Sequence, residues 1–362
     1  MKIGARTFKT SLAVLLSLYI PSLFGIEDLS LAAISVVASM QPSVKKSFET
    51  TWERLLANTI GGIVAIIMAS LFGTSFIIIG LATAILIALL HQIHLNNVIG
   101  LSAMTLIIIM LSTDGEIIYN AVTRVFLTFI GVGIAFIVNH LLLRPDYEQK
   151  LFYLTNNVTD DLTRFIRVSL RKNVQYPLMR DDLNTLEKSI IEMKRLLSFL
   201  QDGYWYKFPF RKEYSITRLL VVYRQFIRTT DATFSLVQTL YHAENVYNHF
   251  PEDLRLLLRE RLDTLMSAHE QIILKWNGRI QPKEVNFIAY KSDLRKEFMH
   301  SFFNEASLES YLKDDYGQSN TVIHLMSAVL IYEENLQHLN KLVSSYKLNH
   351  KDKRKTSIRS LN

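Results

Sequence analysis

Two arginines are the groups in this chain best suited to chemistry: Arg54 and Arg124, each at the head of a long apolar run. A guanidinium keeps its proton in every protein environment, so neither side chain can escape lipid by becoming neutral. An ionisable residue in or beside a membrane span is a functional candidate for that reason. The planar fork takes a carboxylate through two parallel hydrogen bonds, so the chemistry that suits both positions is attraction of an organic anion. The competing reading is that both snorkel to the interface. Arg54, next to Glu53 and near Lys45 and Lys46, fits snorkelling better, whereas Arg124, with apolar neighbours and little charge nearby, fits a solute-binding role. Gln41 is a third candidate. It precedes Pro42 at the end of a short apolar run, where it could touch a solute or satisfy backbone groups that the proline frees. Pro42 also suits the first turn of a following helix.

The elements that must position these residues are apolar runs at 10–24, 29–40, 55–72, 75–90, 98–111 and 121–143. A helix needs about 20 residues to cross a bilayer, with about 17 as the lower limit. Only the third and sixth runs meet that limit unaided. Six crossings are expected, with four crossings and two half-helices as the alternative. Lys2, Arg6, Lys9, Lys45, Lys46 and Arg144 then share one side, with Arg54 at its edge. The opposite connections hold Glu27, Asp28, Asp114 and Glu116. The positive-inside rule makes the basic side cytoplasmic, together with the N-terminus and everything after Arg144. A basic start followed by an apolar stretch also resembles a signal peptide. No small-residue cleavage site is clear and further apolar runs follow at once, so a retained first span is expected.

At a constant offset of 70 residues, Arg54-x6-Gly61 matches Arg124-x6-Gly131, and Ala65 matches Ala135. Upstream, Ala33 and Met40 match Ala103 and Met110. Three spans per unit would make this a 3+3 inverted repeat, a plan that puts transporter sites at the repeat interface. The alternative is chance likeness between two apolar helices that both need small residues. Gly61, Gly62, Gly131 and Gly133 are expected to let helix backbones approach closely. His91, His94, Asn96 and Asn97 read as a polar turn, since no carboxylate nearby completes a metal site.

Several functions are excluded by what the sequence lacks. There is no cysteine, hence no disulfide and no thiolate metal site. There is no phosphate loop and no dinucleotide-binding glycine pattern, which argues against an ATP-driven pump within this chain. No catalytic constellation or cofactor motif is present, and no enzyme is expected.

After the Arg144-Pro145 junction the pattern changes. Residues 146–345 carry apolar positions at three- and four-residue spacing, in segments near 147–172, 181–201, 214–242, 252–276, 283–313 and 319–346. Pro177, Pro209, Pro251, Pro282 and Gly317 separate them, and Asp181 or Asp182 could cap the second. The expected class is therefore all-α: a transmembrane bundle over 1–143 and a cytoplasmic helical bundle over 144–346. The aromatic run from Gly203 to Phe210 reads as a loop packed on its own domain or on the membrane surface. The basic tail, 347–362, is expected to be disordered and to rest on anionic lipid, not on nucleic acid.

The basic start into Lys9-Thr10-Ser-Leu-Ala, then Ala32-Ala33-Ile and Met40-Gln41-Pro42-Ser43, Arg54-x6-Gly61, Arg124-x6-Gly131 and Asn139-x4-Arg144-Pro145 together resemble the aromatic acid exporter family. That family belongs to the wider fusaric-acid-resistance group. The helical region that follows resembles the C-terminal domain of the family's Gram-positive members. The resemblance implies a plasma-membrane exporter of aromatic or other organic acids. It also implies relatives among plant malate channels, which keeps a passive anion pathway open. Larger members carry two membrane units in one chain, so a homodimer is the simplest assembly for a chain with one. A scaffold or sensor acting through the second half is the reading from a different class.

Overall fold

The computed structural model describes residues 5–25, 29–40, 44–112, 117–141, 146–170, 176–205, 214–281, 292–307 and 316–349. Among them every regular element is helical, and the chain divides into two compact units, Met1–Pro145 and Asp146–Asn362. Gln41, Pro42, Asp114, Glu116, Arg144, most of the aromatic run and the tail from 350 onward lie outside the described residues, whereas 347–349, expected to begin a disordered tail, continue the last helix.

The first unit contains α1 (Ala5–Ser22), α2 (Ser30–Ser39), α3 (Val44–Phe72), α4 (Phe76–Gln92), α5 (Ile99–Leu111) and α6 (Ile117–Leu141). Two helices, Lys45–Phe72 and Ile117–Asn139, are long and apolar enough to cross a membrane. Less than half of each apolar window is buried, 39% and 44%, so neither is an enclosed core helix of a soluble protein. With 10 residues, α2 spans about 15 Å, half a hydrocarbon core, and α5 is only one turn longer.

The contacts of α3 with α6 fix their relative direction. Phe48 meets Phe136 with ring centroids 6.0 Å apart, Asn58 meets Thr128 at 3.1 Å, and Gly62 would place a Cβ 3.6 Å from Val125. As one helix advances the other retreats, so the pair is antiparallel. Both α1 and α2 pack on α6, while α4 and α5 pack on α3. Each half thus lends its two shorter helices to the long helix of the other. Burial follows the same 70-residue period. Ala57, Asn58, Val64, Ala65 and Met68 are buried, and so are Leu127, Thr128, Ile134, Ala135 and Val138. Trp52, Leu56 and Ile67 are exposed, as are Val122, Phe126 and Ile137. The pairings and the burial of the two halves are related by the same 70-residue offset as the sequence match.

The second unit contains α7 (Tyr147–Ser169), α8 (Tyr176–Trp205), α9 (Tyr214–His242), α10 (Glu244–His249), α11 (Glu252–Trp276), α12 (Ser292–Ala306) and α13 (Tyr316–Asn349). Asp146 caps α7, its carboxylate accepting the Gln149 backbone N–H at 3.0 Å. The expected boundary before Asp181 is corrected: α8 begins at Tyr176, with Pro177 in its first turn and both aspartates inside the helix. A proline there gives up only a donor that no intrahelical bond would have used. Tyr223 and Phe226 pack edge-on against Trp276, with centroids 5.5 and 5.7 Å away. An ion pair between Arg261 and Glu333 is fully enclosed, and His269 shares a hydrogen bond with the Tyr332 hydroxyl at 3.1 Å.

Candidate functional site

The short helix α2 ends inside the first unit, and its last carbonyls need partners there. Ser47, from the first turn of α3, donates to the Ser39 carbonyl at 3.3 Å. Arg54, two turns further on, donates from Nη1 to Ser39 Oγ at 3.0 Å and to the Ser35 carbonyl at 3.4 Å. A cation at a helix C-terminus also meets the negative end of the helix dipole. The Arg54 guanidinium is therefore turned onto α2 instead of reaching away along the interface. Its Nε is buried and makes no hydrogen bond, so the side-on edge of the fork keeps a donor in hand. Arg124 is half-buried, as Arg54 is, at the equivalent position of α6.

One turn beyond Arg54, the two halves touch through polar groups. Asn58 and Thr128 are 70 positions apart, so their contact lies where the two repeats meet. They are 2% and 1% exposed. Asn58 Nδ2 donates to Thr128 Oγ1 at 3.1 Å, and Thr128 in turn donates to the Arg124 carbonyl at 2.9 Å. Thr105, also buried, lies 3.4 Å from Asn58 Oδ1 but gives its proton to the nearer Leu101 carbonyl at 3.0 Å. Because α3 and α6 are antiparallel, Arg54 and Arg124 flank this contact from opposite ends, each four residues away.

The four glycines separate into two kinds. A Cβ on Gly131 would run into the Ala32 carbonyl oxygen, and one on Gly61 would lie 2.8 Å from Ser102 Oγ. These two approaches are counterparts, since Ala32 and Ser102 are also 70 apart. Gly62 is in ordinary contact, and Gly133 has open space where a side chain would go. Close packing therefore attaches to Gly61 and Gly131 and not to Gly133. His91 Nδ1 pairs with Asn96 Oδ1 at 2.9 Å in an exposed turn where His94 has φ 61°. Among the described residues no group of three or more metal-ligating side chains comes together.

Sequence reading selected the ionisable residues and passed over Asn58, Thr105, Thr128, Ser35 and Ser39. The available signal was an asparagine in mid-span at the same offset that pairs the arginines. Lys9, expected on the basic cytoplasmic side, is 6% exposed.

Residues 1–142 match the model of "aromatic acid exporter family member 1". Over its full length the chain is similar to the UPF0421 protein YgaE of Bacillus subtilis, 30% identical across 354 residues and 97% of each chain. A UPF0421 protein of Oceanobacillus iheyensis is 26% identical over 199 residues, 54% of this chain and 56% of its own. One of Halalkalibacterium halodurans is 26% identical over 207 residues, 57% and 58%. The likeness across 97% of both chains shows that this chain belongs to the UPF0421 family, and its first unit matches the aromatic acid exporter family.

Proposed function

We propose that the chain is a plasma-membrane transporter that exports aromatic or other organic acids, driven by an ion gradient and not by ATP. The observation that carries this reading is Arg54: a guanidinium inside an apolar bundle, anchored by Nη1, with a buried Nε–H still available. A carboxylate approaching that edge finds a charged donor where water is scarce, which is where such a bond is strongest. Arg124 supplies the second cation from the other half, and Gln41, which lies outside the described residues, is the third candidate. In this reading six elements traverse the bilayer, with α2 and α5 as the short ones. The N-terminus and residues 144–346 are cytoplasmic, the tail rests on anionic lipid, and two copies assemble as a homodimer.

The test is accumulation of labelled aromatic acids by inverted membrane vesicles, with and without an imposed proton gradient and without ATP. Gradient-dependent accumulation is the expected result. If accumulation requires ATP, or no organic acid moves at all, the proposal fails.

A further inference from the structure

The Asn58 carboxamide is only partly used. Thr128 gives its single proton to the Arg124 carbonyl, so toward Asn58 it acts solely as an acceptor, and that occupies one of two amide N–H groups. Thr105 gives its single proton to Leu101, so Asn58 Oδ1 has no good donor at 3.4 Å. The side chain therefore holds one unused N–H, and its carbonyl oxygen has only the long 3.4 Å contact from Thr105, although it is 2% exposed in an apolar bundle. Leaving such groups unpaired is costly.

We propose that Asn58 is the specificity-determining residue of the transport site and reads a hydroxyl on the organic acid being moved. A hydroxyl both donates and accepts, and the Asn58 amide has one of each to offer. Position supports the pairing. Asn58 lies one helical turn, about 6 Å along the axis, from Arg54. That matches the length of a single aromatic ring between its carboxylate and a hydroxyl on the opposite side. With the carboxylate on the Arg54 edge, the hydroxyl falls at Asn58, where it takes up the amide N–H that Thr128 leaves unused and completes the weak contact at Oδ1. Because the contact joins the two repeats, a solute held there can be released toward Arg54 or toward Arg124.

The inference rests on the transporter reading, and the experiment separates the two. Half-saturation by benzoate and by 4-hydroxybenzoate is measured on the full-length chain, both as flux in vesicles and as ligand-induced thermal stabilisation of purified protein. The wild type is expected to favour 4-hydroxybenzoate about tenfold, the worth of one neutral hydrogen bond. Asn58→Leu is expected to erase that preference, so that the two acids half-saturate at the same concentration. Asn58→Ala, which removes the amide without adding bulk, guards against misfolding of the leucine variant and gives the same loss. A preference that survives in either folded variant, or is absent from the wild type, overturns the role of Asn58 while leaving that of Arg54 intact. If the wild type neither binds nor moves either acid, the export reading falls and the inference with it.

Discussion

The two units solve opposite packing problems. In the first, the large apolar side chains Trp52, Ile63, Ile67, Phe126 and Ile137 point outward, while Asn58, Thr105, Thr128, Ser35 and Ser102 are buried. In the second, Phe226, Leu258, Leu262 and Leu325 fill the interior and charged residues cover the surface, the Arg167–Glu270 pair among them. A bilayer gives no reward for hiding leucine, so helices there associate through close backbone contact and polar pairing. Water rewards hiding apolar surface by roughly 25 cal/mol per Å², and the second unit is built on that term. The first unit keeps the Arg54 Nε–H buried without a hydrogen bond, and that edge is assigned to the solute. The second keeps its buried charges, Arg261 and Glu333, paired.

The contrast can be broken where it is steepest. Arg261→Ala removes the enclosed partner of Glu333 and leaves it only Arg295, 3.6 Å away and half exposed, and is expected to cost about 3–5 kcal/mol, read by chemical denaturation of the second unit's helical signal. Replacing both partners, Arg261→Met with Glu333→Leu, should recover most of that loss; failure to recover would mean that the Arg295–Glu333 contact carries the stability instead.

The acid limb of stability belongs to the second unit as well. Burial holds His269 down to about 3, below its ordinary value near 6.5. Its neutral form is therefore the folded one. Stability is complete above about pH 6.5 and declines as pH falls toward 3, because the unfolded chain takes up the proton first. The loss is on the order of a few kcal/mol, and His269→Gln should flatten this part of the pH–stability curve.

Matched substitutions in the two units sharpen the comparison further. Ile63→Lys, near the middle of the exposed face of α3, is expected to oppose membrane insertion by about 2.5–3.5 kcal/mol. Ile191→Lys, equally exposed but on α8, should change stability by less than about 0.5 kcal/mol. Equal effects in an insertion assay and a melt would dissolve the distinction between the units. Gly131→Ala, against the Ala32 carbonyl, should cost about 1–3 kcal/mol. Gly133→Ala, in open space, should be silent in the same detergent-stability measurement.

Much of the architecture was legible in the sequence. Segments 214–242 and 252–276 match α9 and α11 at both ends, because Pro251 interrupts a strong helical period there. The boundary at α8 was misplaced because aspartates resemble caps and a proline resembles a break, whereas Pro177 begins the helix. The 70-residue repeat was visible in Arg54 and Arg124, but its meaning needed the antiparallel crossing of α3 and α6. Asn58 was hidden because a neutral amide in an apolar run carries no charge signal. The Arg261–Glu333 pair was hidden for the opposite reason: 72 positions apart, each looks like an ordinary solvated charge on an amphipathic helix.

The most direct test of the central claim is counterflow of labelled benzoate in proteoliposomes containing the full-length protein, compared among wild type, Arg54→Ala and Arg124→Ala at equal reconstitution. The account predicts exchange in the wild type and its loss in both variants, since each repeat contributes one of the two cations. Wild-type exchange rates in both variants would contradict it.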